Sequence, residues 1–103
     1  MVYLESEAQY KEWKDTGKVV FLFSADWCRD CQLIKPFMPE IETEFDDFTF
    51  VYVDRDKFID ICIENDIFGI PSFIVYSHGT ELGRFVSKDS KTKEEIESFL
   101  QSL

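Results

Sequence analysis

The chain has 103 residues and a mass of 12.2 kDa, which is enough for one domain with one hydrophobic core. Apolar residues make up 45% and charged residues 31%, a balance that excludes a disordered chain and an integral membrane protein. Twenty-one acidic residues against eleven basic ones give a net charge of −10, which repels nucleic-acid phosphates and anionic lipids. We therefore expect neither nucleic acid nor membrane as a partner.

Hydrophobic periodicity along the chain alternates between helix and strand. An amphipathic pattern that stops at Gly17 predicts a first helix over 6–16, with no strand before it. Apolar runs predict four later strands, of which the last two form a hairpin: 19–23, 48–53, 72–76 and 81–86. Helical spacing predicts three more helices: 28–45, with a kink at Pro36, then 57–65 and 92–103.

The order of these elements predicts the fold class. Strands separated by helices pair in parallel through right-handed crossovers, and the final hairpin adds antiparallel strands. We therefore predict an α/β fold in which a mixed central sheet has helices on both faces. One domain should span residues 1–103.

Two of the three cysteines, Cys28 and Cys31, are separated by two residues and directly follow a predicted buried strand. The start of a helix places the first thiol beside unpaired backbone N–H groups, which stabilise a thiolate. One helical turn brings the second sulfur within bonding distance of the first. We expect an exposed attacking Cys28 and a more buried Cys31. Arg29 favours the thiolate and Asp30 opposes it, so their net effect stays open.

The surroundings of the cysteine pair favour redox chemistry over a structural or metal site. The N-terminal segment lacks the basic and apolar regions of a signal peptide, and no apolar run approaches the ~20 residues of a membrane span. We therefore expect a cytoplasmic protein, where close cysteine pairs are catalytic or metal-binding. A zinc site would need Cys62 and His78 as further ligands, and their spacing is not that of a zinc knuckle, so no metal is expected.

Other polar residues receive structural interpretations. Cys62 lies on an apolar stripe and is expected to be a buried small hydrophobe, with a regulatory thiol as the alternative. Asp54 and Asp56 follow a strand and are expected to cap the next helix. His78 lies in a polar turn and should be exposed.

Two segments resemble motifs of the thioredoxin family. Residues 23–31 (FSADWCRDC) are similar to its active-site loop, and residues 69–73 (GIPSF) are similar to its cis-proline segment. Segment 53–56 and the terminal helix also fit, so the resemblance covers essentially the whole chain. It is closest to the small thioredoxin-like proteins of low-GC Gram-positive bacteria, the YtpP type. The resemblance implies a thioredoxin fold.

The resemblance also implies an activity and its residues. Cys28 would attack a substrate disulfide and Cys31 would resolve the mixed disulfide, which leaves a Cys28–Cys31 redox disulfide. Pro71 would be cis and face the pair, and the backbone of Ile70 would pair with an extended substrate segment. The implied substrate-binding residues are grouped around the pair: Trp27, Arg29, Asp30, Ile70 and Pro71.

The implied partners are client proteins with disulfides and a thioredoxin reductase that passes on electrons from NADPH. The chain itself would bind no cofactor, act as a monomer, and serve electron transport in cell redox homeostasis.

Four positions depart from the family pattern. Arg29-Asp30 replaces the usual Gly-Pro between the cysteines, so a typical reduction potential is not assumed. Leu22 and Tyr52 stand where the family usually has a buried Asp and Lys, which removes both members of a polar pair together. Our hypothesis is that Asp30 or a water accepts the proton of Cys31 instead. Ser87 replaces a Gly and is expected to reshape the docking groove.

These observations leave three functional hypotheses. The leading one is a thiol–disulfide oxidoreductase that reduces protein disulfides through Cys28 and Cys31. A second is reduction of mixed disulfides between proteins and an anionic low-molecular-weight thiol, because Arg29 adds charge beside Cys28. A third is a binding adaptor of thioredoxin fold with residual redox activity.

Overall fold

The computed structural model describes residues 1–103 and contains five strands and five α-helices. In chain order they are β1 (Val2–Tyr3), α1 (Glu7–Thr16), β2 (Lys18–Ser24), α2 (Arg29–Ile34), α3 (Met38–Glu44), β3 (Thr49–Asp54), α4 (Ile59–Glu64), β4 (Ser72–Ser77), β5 (Thr80–Phe85) and α5 (Lys93–Gln101). One turn of 3-10 helix, Lys35–Phe37, joins α2 to α3. None of the helices combines the length and the apolar character needed to cross a bilayer.

The strands form one mixed sheet in the order β1-β3-β2-β4-β5. β3 pairs in parallel with β1 and with β2, whereas β4 runs antiparallel to β2 and to β5. The predicted α/β fold with parallel and antiparallel strands is therefore confirmed. The central strand β2 is buried at all six positions after Lys18, as its continuous apolar run predicts.

Each face of the sheet carries its own core. Successive residues of a strand point to opposite faces, so the side chains of β2 divide between the two cores. One core joins β2 to α1 and α4 through residues such as Tyr10, Phe21, Phe23, Ile61 and Cys62. The other joins β2 to α2, α3 and α5 through residues such as Leu22, Ile34, Ile41, Ile96 and Leu100. The two layers hold the end of β2, where the site lies, between packed helices.

The long helix predicted over 28–45, with a kink at Pro36, is instead divided there into α2 and α3. Proline has no backbone N–H and crowds the preceding turn, so the chain tightens into the 3-10 turn Lys35–Phe37 before α3 begins. The Met38 N–H then donates to the Lys35 carbonyl.

The N-terminal strand β1 was not predicted from the sequence. Val2 pairs with Val51 and Tyr3 with Tyr52, and the Leu4 N–H donates to the Tyr52 carbonyl at 2.9 Å. Two residues are too short to show a strand period, so only the pairing reveals this edge. The strand places the amino terminus and the Tyr3 ring next to Tyr52, with ring centroids 4.7 Å apart. The other predicted elements are present with ends shifted by at most two residues.

Candidate active site

The cysteine pair lies between the end of β2 and the start of α2. β2 ends at Ser24, and Cys28 is the N-cap residue of α2. The Cys31 backbone N–H donates to the Cys28 Sγ at 3.2 Å. A backbone donor aimed at the sulfur favours negative charge on Cys28, as the position at a helix start predicts.

Both thiols are more buried than the sequence suggests. Cys28 is 6% exposed and Cys31 is 3% exposed, so the expected exposure of Cys28 is wrong. Ala25 and Ile70 pack against the pair and cover it, and the Cys28 Sγ lies 3.8 Å from the Ile70 carbonyl oxygen. The difference between the two thiols is one of direction. Cys28 lines an open groove, whereas Cys31 lines a separate cavity behind it.

The proline loop faces the cysteine pair across the groove. The Ile70–Pro71 peptide bond is cis, as the resemblance implies. The loop is anchored at both sides, because the Ser72 hydroxyl donates to the Gly69 carbonyl at 2.5 Å and Gly69 packs directly on the backbone of Ser87. The Ser87 hydroxyl accepts from the Lys91 ammonium group at 3.1 Å. The Ser87 backbone therefore packs against the proline loop, while its side chain binds Lys91.

The groove in front of Cys28 has a volume of about 350 Å³. Its walls contain four of the five predicted substrate-binding residues: Trp27, Arg29, Asp30 and Ile70. The fifth, Pro71, does not line the groove but directly follows Ile70. Arg55, Phe68 and Lys88 also line it, although no motif in the sequence marks them. The groove thus gathers three cationic side chains and the exposed rings of Trp27 and Phe68 around one thiol.

A hydrogen bond to Asp56 fixes the indole of Trp27. The Trp27 Nε1–H donates to the Asp56 carboxylate at 2.6 Å, and Arg55 binds the same carboxylate at 3.1 Å. Both contacts lower the pKa of Asp56, and the hydrogen bond from the Trp27 indole has the larger effect. The expected capping role is therefore wrong for Asp56. Asp54 does not cap α4 either, because the N-cap residue of that helix is Phe58; it accepts the N–H groups of Asp56 and Lys57 at 2.9 and 3.2 Å in the preceding turn.

The cavity behind Cys31 has a volume of about 170 Å³ and lies where the family usually has its buried polar pair. Leu22 and Tyr52 are opposite each other in the β2–β3 register, and both line the cavity. Ser24 and Asp26 line it as well. Burial raises the pKa of the Cys31 thiol to about 11 and its hydrogen bond to Cys28 adds to the rise, while hydrogen bonding to Ser24 opposes it.

The remaining candidates for metal or redox chemistry lie apart from the pair. Cys62 is 1% exposed in the core beside α1, as predicted, and burial raises its pKa to about 11. His78 is exposed in the β4–β5 turn, with a φ of 48°. No three His, Cys, Asp or Glu side chains converge as a metal site.

The thioredoxin family model matches residues 2–102. The chain belongs to the thioredoxin family. It is 34% identical over 90 residues to the mitochondrial thioredoxin-2 of Schizosaccharomyces pombe, a match that covers 86% of this chain and 68% of the relative. It is 32% identical over 103 residues to the thioredoxin of Oryctolagus cuniculus, covering 97% of this chain and 95% of the relative.

The fold agrees with this membership. The crystal structure of thioredoxin from Trypanosoma brucei brucei superposes with a TM-score of 0.88 at 25% identity, covering 99% of this chain and 88% of that one. With the Cys28-x-x-Cys31 dithiol in the family position, the chain is a thiol–disulfide oxidoreductase. Proteins of this family need no bound cofactor.

Proposed function

We propose that this oxidoreductase reduces disulfides in client proteins, with Cys28 as the nucleophile and Cys31 as the resolving thiol. The observation that carries the proposal is that the two cysteines line different spaces. Cys28 lines the open groove, and Cys31 lines the cavity behind it. Only Cys28 can meet a sulfur that arrives through the groove.

The reaction then takes two displacement steps. The Cys28 thiolate attacks one sulfur of the client disulfide, the client S–S bond breaks, and the first client sulfur leaves as a thiolate. The Cys31 thiol loses its proton and its sulfur attacks Cys28, which breaks the mixed disulfide and releases the second client sulfur. The client gains two electrons, and the chain loses two electrons as Cys28 and Cys31 become a disulfide.

The proline loop and Trp27 supply the docking surface in this proposal. An extended client segment that lies along the loop can pair with the backbone of Ile70 beside Pro71. Trp27 is 64% exposed and its ring is fixed by Asp56, so it offers a rigid apolar contact next to the reacting sulfur. Arg29 and Asp30 border the same contact.

The supply of electrons and the setting are proposals of the same kind. Family membership supports NADPH as the source, a thioredoxin reductase as the donor protein, and a cytoplasmic monomer that serves electron transport in redox homeostasis. We also propose, from the sequence resemblance, that the chain belongs to the small YtpP-type proteins. Turnover with NADPH and a thioredoxin reductase, but not with the reductase omitted, tests the donor. A family tree that groups the chain with eukaryotic thioredoxins would contradict the subgroup.

Cysteine variants test the assigned roles, with insulin as the disulfide substrate and dithiothreitol as the reductant. Cys28→Ser should abolish reduction above background, because no thiol then faces the groove. Cys31→Ser, reduced beforehand and then freed of dithiothreitol, should still attack and should accumulate a covalent mixed disulfide, which a gel without reductant detects. Cys62→Ala is the matched control, since Cys62 lies in a separate core. Full activity of Cys28→Ser would contradict the proposal.

The same variants address the adaptor hypothesis. A double variant, Cys28→Ser with Cys31→Ser, keeps the groove but has no dithiol. If it binds the partners of the unmodified chain with unchanged affinity, binding rather than reduction explains those partnerships.

A second candidate substrate is a mixed disulfide between a protein and an anionic low-molecular-weight thiol. The observation that favours it is the placement of Arg29, Arg55 and Lys88 around the groove in a chain of net charge −10. Each cation near the bound carboxylates contributes a modest attraction.

A test protein modified with glutathione, which carries two carboxylates, is the probe for this candidate. Its reduction should be faster than that of the same protein modified with uncharged mercaptoethanol. Lys88→Gln should lower the rate on the glutathione adduct roughly two- to fivefold and leave the mercaptoethanol adduct nearly unaffected. Lys57→Gln is the control, because Lys57 does not line the groove. Equal losses on both adducts would exclude a charge-selective site.

A further inference from the structure

The second displacement step requires a proton to leave Cys31, and the usual acceptor is absent. Leu22 is 3% exposed and apolar where the family usually has a buried carboxylate. Burial raises the pKa of Cys31 to about 11, so the thiol does not ionise spontaneously near neutral pH. Some other group must carry this proton during resolution of the mixed disulfide.

We propose that Ser24 and Tyr52 relay the proton of Cys31 through the cavity behind it to the carboxylate of Asp26. The proposal rests on the resolving role of Cys31 given above. It assigns three residues to the known chemistry: Ser24 and Tyr52 as positioning and relay groups, and Asp26 as the final acceptor before solvent.

The cavity gives the relay its geometry. Cys31, Ser24, Tyr52 and Asp26 all line the same space of about 170 Å³. A space of this size holds several water molecules, and hydroxyl and carboxylate groups in its wall give such waters polar partners. Ser24 is the last residue of β2 and is 4% exposed, so it belongs to the buried part of the cavity wall, whereas Asp26 is exposed.

The Ser24 hydroxyl affects both the Cys31 thiol and the Tyr52 hydroxyl. Its influence lowers the pKa of the Cys31 thiol and that of the Tyr52 hydroxyl, and in both cases it opposes the larger rise that burial causes. The charge of Asp26 acts on Tyr52 in the opposite sense and raises the Tyr52 pKa. The side chains of Ser24, Tyr52 and the exposed Asp26 therefore share one cavity with Cys31, and water in that cavity can join their oxygen atoms to the sulfur.

Two other carboxylates near the pair are poorer acceptors. Glu42 also lines the cavity, but it forms an ion pair with the amino terminus at 2.8 Å. Asp30, our acceptor hypothesis from the sequence, lines the groove on the Cys28 side and does not line the cavity. Asp26 has no salt-bridge partner and is the carboxylate left to receive the proton.

The titratable and charged groups around Cys31 come from several elements. Cys28 and Asp30 belong to the start of α2, Asp26 to the loop after β2, Tyr52 to β3, and Lys91 to the loop before α5. Lys35 and Glu42 border the outer cavity. A pH profile of the resolution step reflects all of these groups, so the test compares single substitutions rather than one profile.

The step balances without any further reactant. As the Cys31 sulfur attacks Cys28 in the mixed disulfide, its proton passes to the Ser24 oxygen and the Ser24 proton passes on through the Tyr52 hydroxyl or a water to Asp26. The Cys31–Cys28 bond forms while the Cys28–client bond breaks and the client sulfur takes the electron pair. Asp26 then releases the proton to solvent.

A stopped-flow experiment with the chromogenic disulfide of nitrothiobenzoate separates the two steps. The reduced chain releases one coloured thiolate when Cys28 attacks and a second when Cys31 resolves the mixed disulfide. A failure of the assigned cysteine roles would alter the first phase, whereas a failure of the relay concerns only the second. The second phase is recorded from pH 6 to pH 9, in the unmodified chain and in Asp26→Asn, Ser24→Ala, Ser24→Thr, Tyr52→Phe, Asp30→Asn and Asp60→Asn.

The relay predicts a selective loss. Asp26→Asn and Ser24→Ala should slow the second phase at neutral pH, by roughly 100-fold at the low end of general-base effects, and steepen its rise with pH. Ser24→Thr should recover most of the rate, and added imidazole should partly rescue Asp26→Asn. Asp60→Asn, a remote exposed carboxylate on α4, serves as the charge control. Unfolding midpoints in urea identify any variant that has lost its fold.

Three results would overturn the relay. The first is an unchanged second phase in both Asp26→Asn and Ser24→Ala. The second is a larger loss in Asp30→Asn than in Asp26→Asn, which would return the acceptor role to the groove side. The third is a loss in Asp26→Asn that imidazole does not restore at all, which would indicate a structural defect.

Discussion

Neighbouring groups, more than positions along α2, give its two cysteines different chemistry. Cys28 receives the Cys31 backbone N–H and faces a groove with cationic side chains. Cys31 lies behind it, and burial raises its pKa to about 11. One sulfur is thus prepared to attack, while the other waits until a base removes its proton.

Cys62 offers a pH test of a buried thiol outside the active site. Burial raises its pKa from 9.0 to about 11, so between these values the unfolded chain has lost a proton that the folded chain keeps. The contribution of Cys62 to the free energy of unfolding should therefore be fully present below pH 9 and should be lost as the pH rises towards 11. Between about pH 8 and 10, the ionisation of Cys62 should lower the free energy of unfolding by something on the order of 1 kcal/mol.

Urea unfolding of the unmodified chain and of Cys62→Ala at several pH values measures this share. The variant starts from a lower stability because a core side chain is truncated, and its decline with pH should be shallower. Cys31 and the buried tyrosines titrate in both proteins and cancel in the comparison. Parallel declines in the two proteins would show that Cys62 ionises equally in both states.

At the residue level, the sequence predicted the groups that act through local position. Cys28, Cys31 and Pro71 fall within short motifs, and the structure places them as those motifs imply. Asp56 was assigned to a helix cap because its partner, Trp27, lies 29 positions away in the chain. Contacts of that kind depend on how two loops meet at the end of the sheet, and no periodicity encodes them.

Elements with a clear period or a proline were predicted, and the shortest one was not. The apolar run of β2 and the interruption at Pro36 both appear where the pattern indicates. β1 has two residues and owes its existence to pairing with β3. Its effect is local but relevant, since it brings the amino terminus and Tyr3 to the wall of the cavity behind Cys31.

The junction between the proline loop and the β5–α5 loop is the closest contact between elements at the site. A Cβ on Gly69 would lie 2.5 Å from the Ser87 carbonyl oxygen and 2.7 Å from the Lys88 Cα. Backbone atoms cannot move aside as a flexible side chain can, so Gly69→Ala must displace one of the two loops. We expect a loss of roughly 1–3 kcal/mol in the free energy of unfolding, together with slower disulfide reduction.

Gly17→Ala is the matched control for this substitution. A Cβ on Gly17 meets no atom within 4 Å, and its φ of −157° suits any residue. Its stability should stay within about 0.5 kcal/mol of the unmodified chain and its activity should be unchanged. Gly69→Ala would contradict the expected clash if its urea midpoint and its insulin-reduction rate both matched those of Gly17→Ala.

At the scale of the whole molecule, the groove and the rest of the surface carry opposite charge. The net charge is −10, yet Arg29, Arg55 and Lys88 surround the groove, with Asp30 as the acidic residue in its wall. The molecule measures 30 × 28 × 20 Å. At about 0.01 M salt the Debye length is near 30 Å, so the net negative charge of the whole molecule acts on an approaching anion. Near 0.1 M the Debye length is about 10 Å, so the anion interacts mainly with the charges of the groove.

The opposite charges of the groove and of the whole molecule predict that reactivity towards an anionic disulfide passes through a maximum as the salt concentration rises. The quantity to measure is the rate of reduction of glutathione disulfide divided by that of uncharged hydroxyethyl disulfide. The ratio should rise from about 0.01 M to 0.1 M salt, as the repulsion of the whole molecule is screened, and fall towards 1 M, where a Debye length of about 3 Å screens the groove cations too. Arg55→Gln should lower the maximum, while Lys11→Gln, on an exposed helix outside the groove, should not. A ratio that falls steadily from the lowest salt would mean that the groove cations outweigh the net charge at every distance, and a flat ratio would mean that neither guides the substrate.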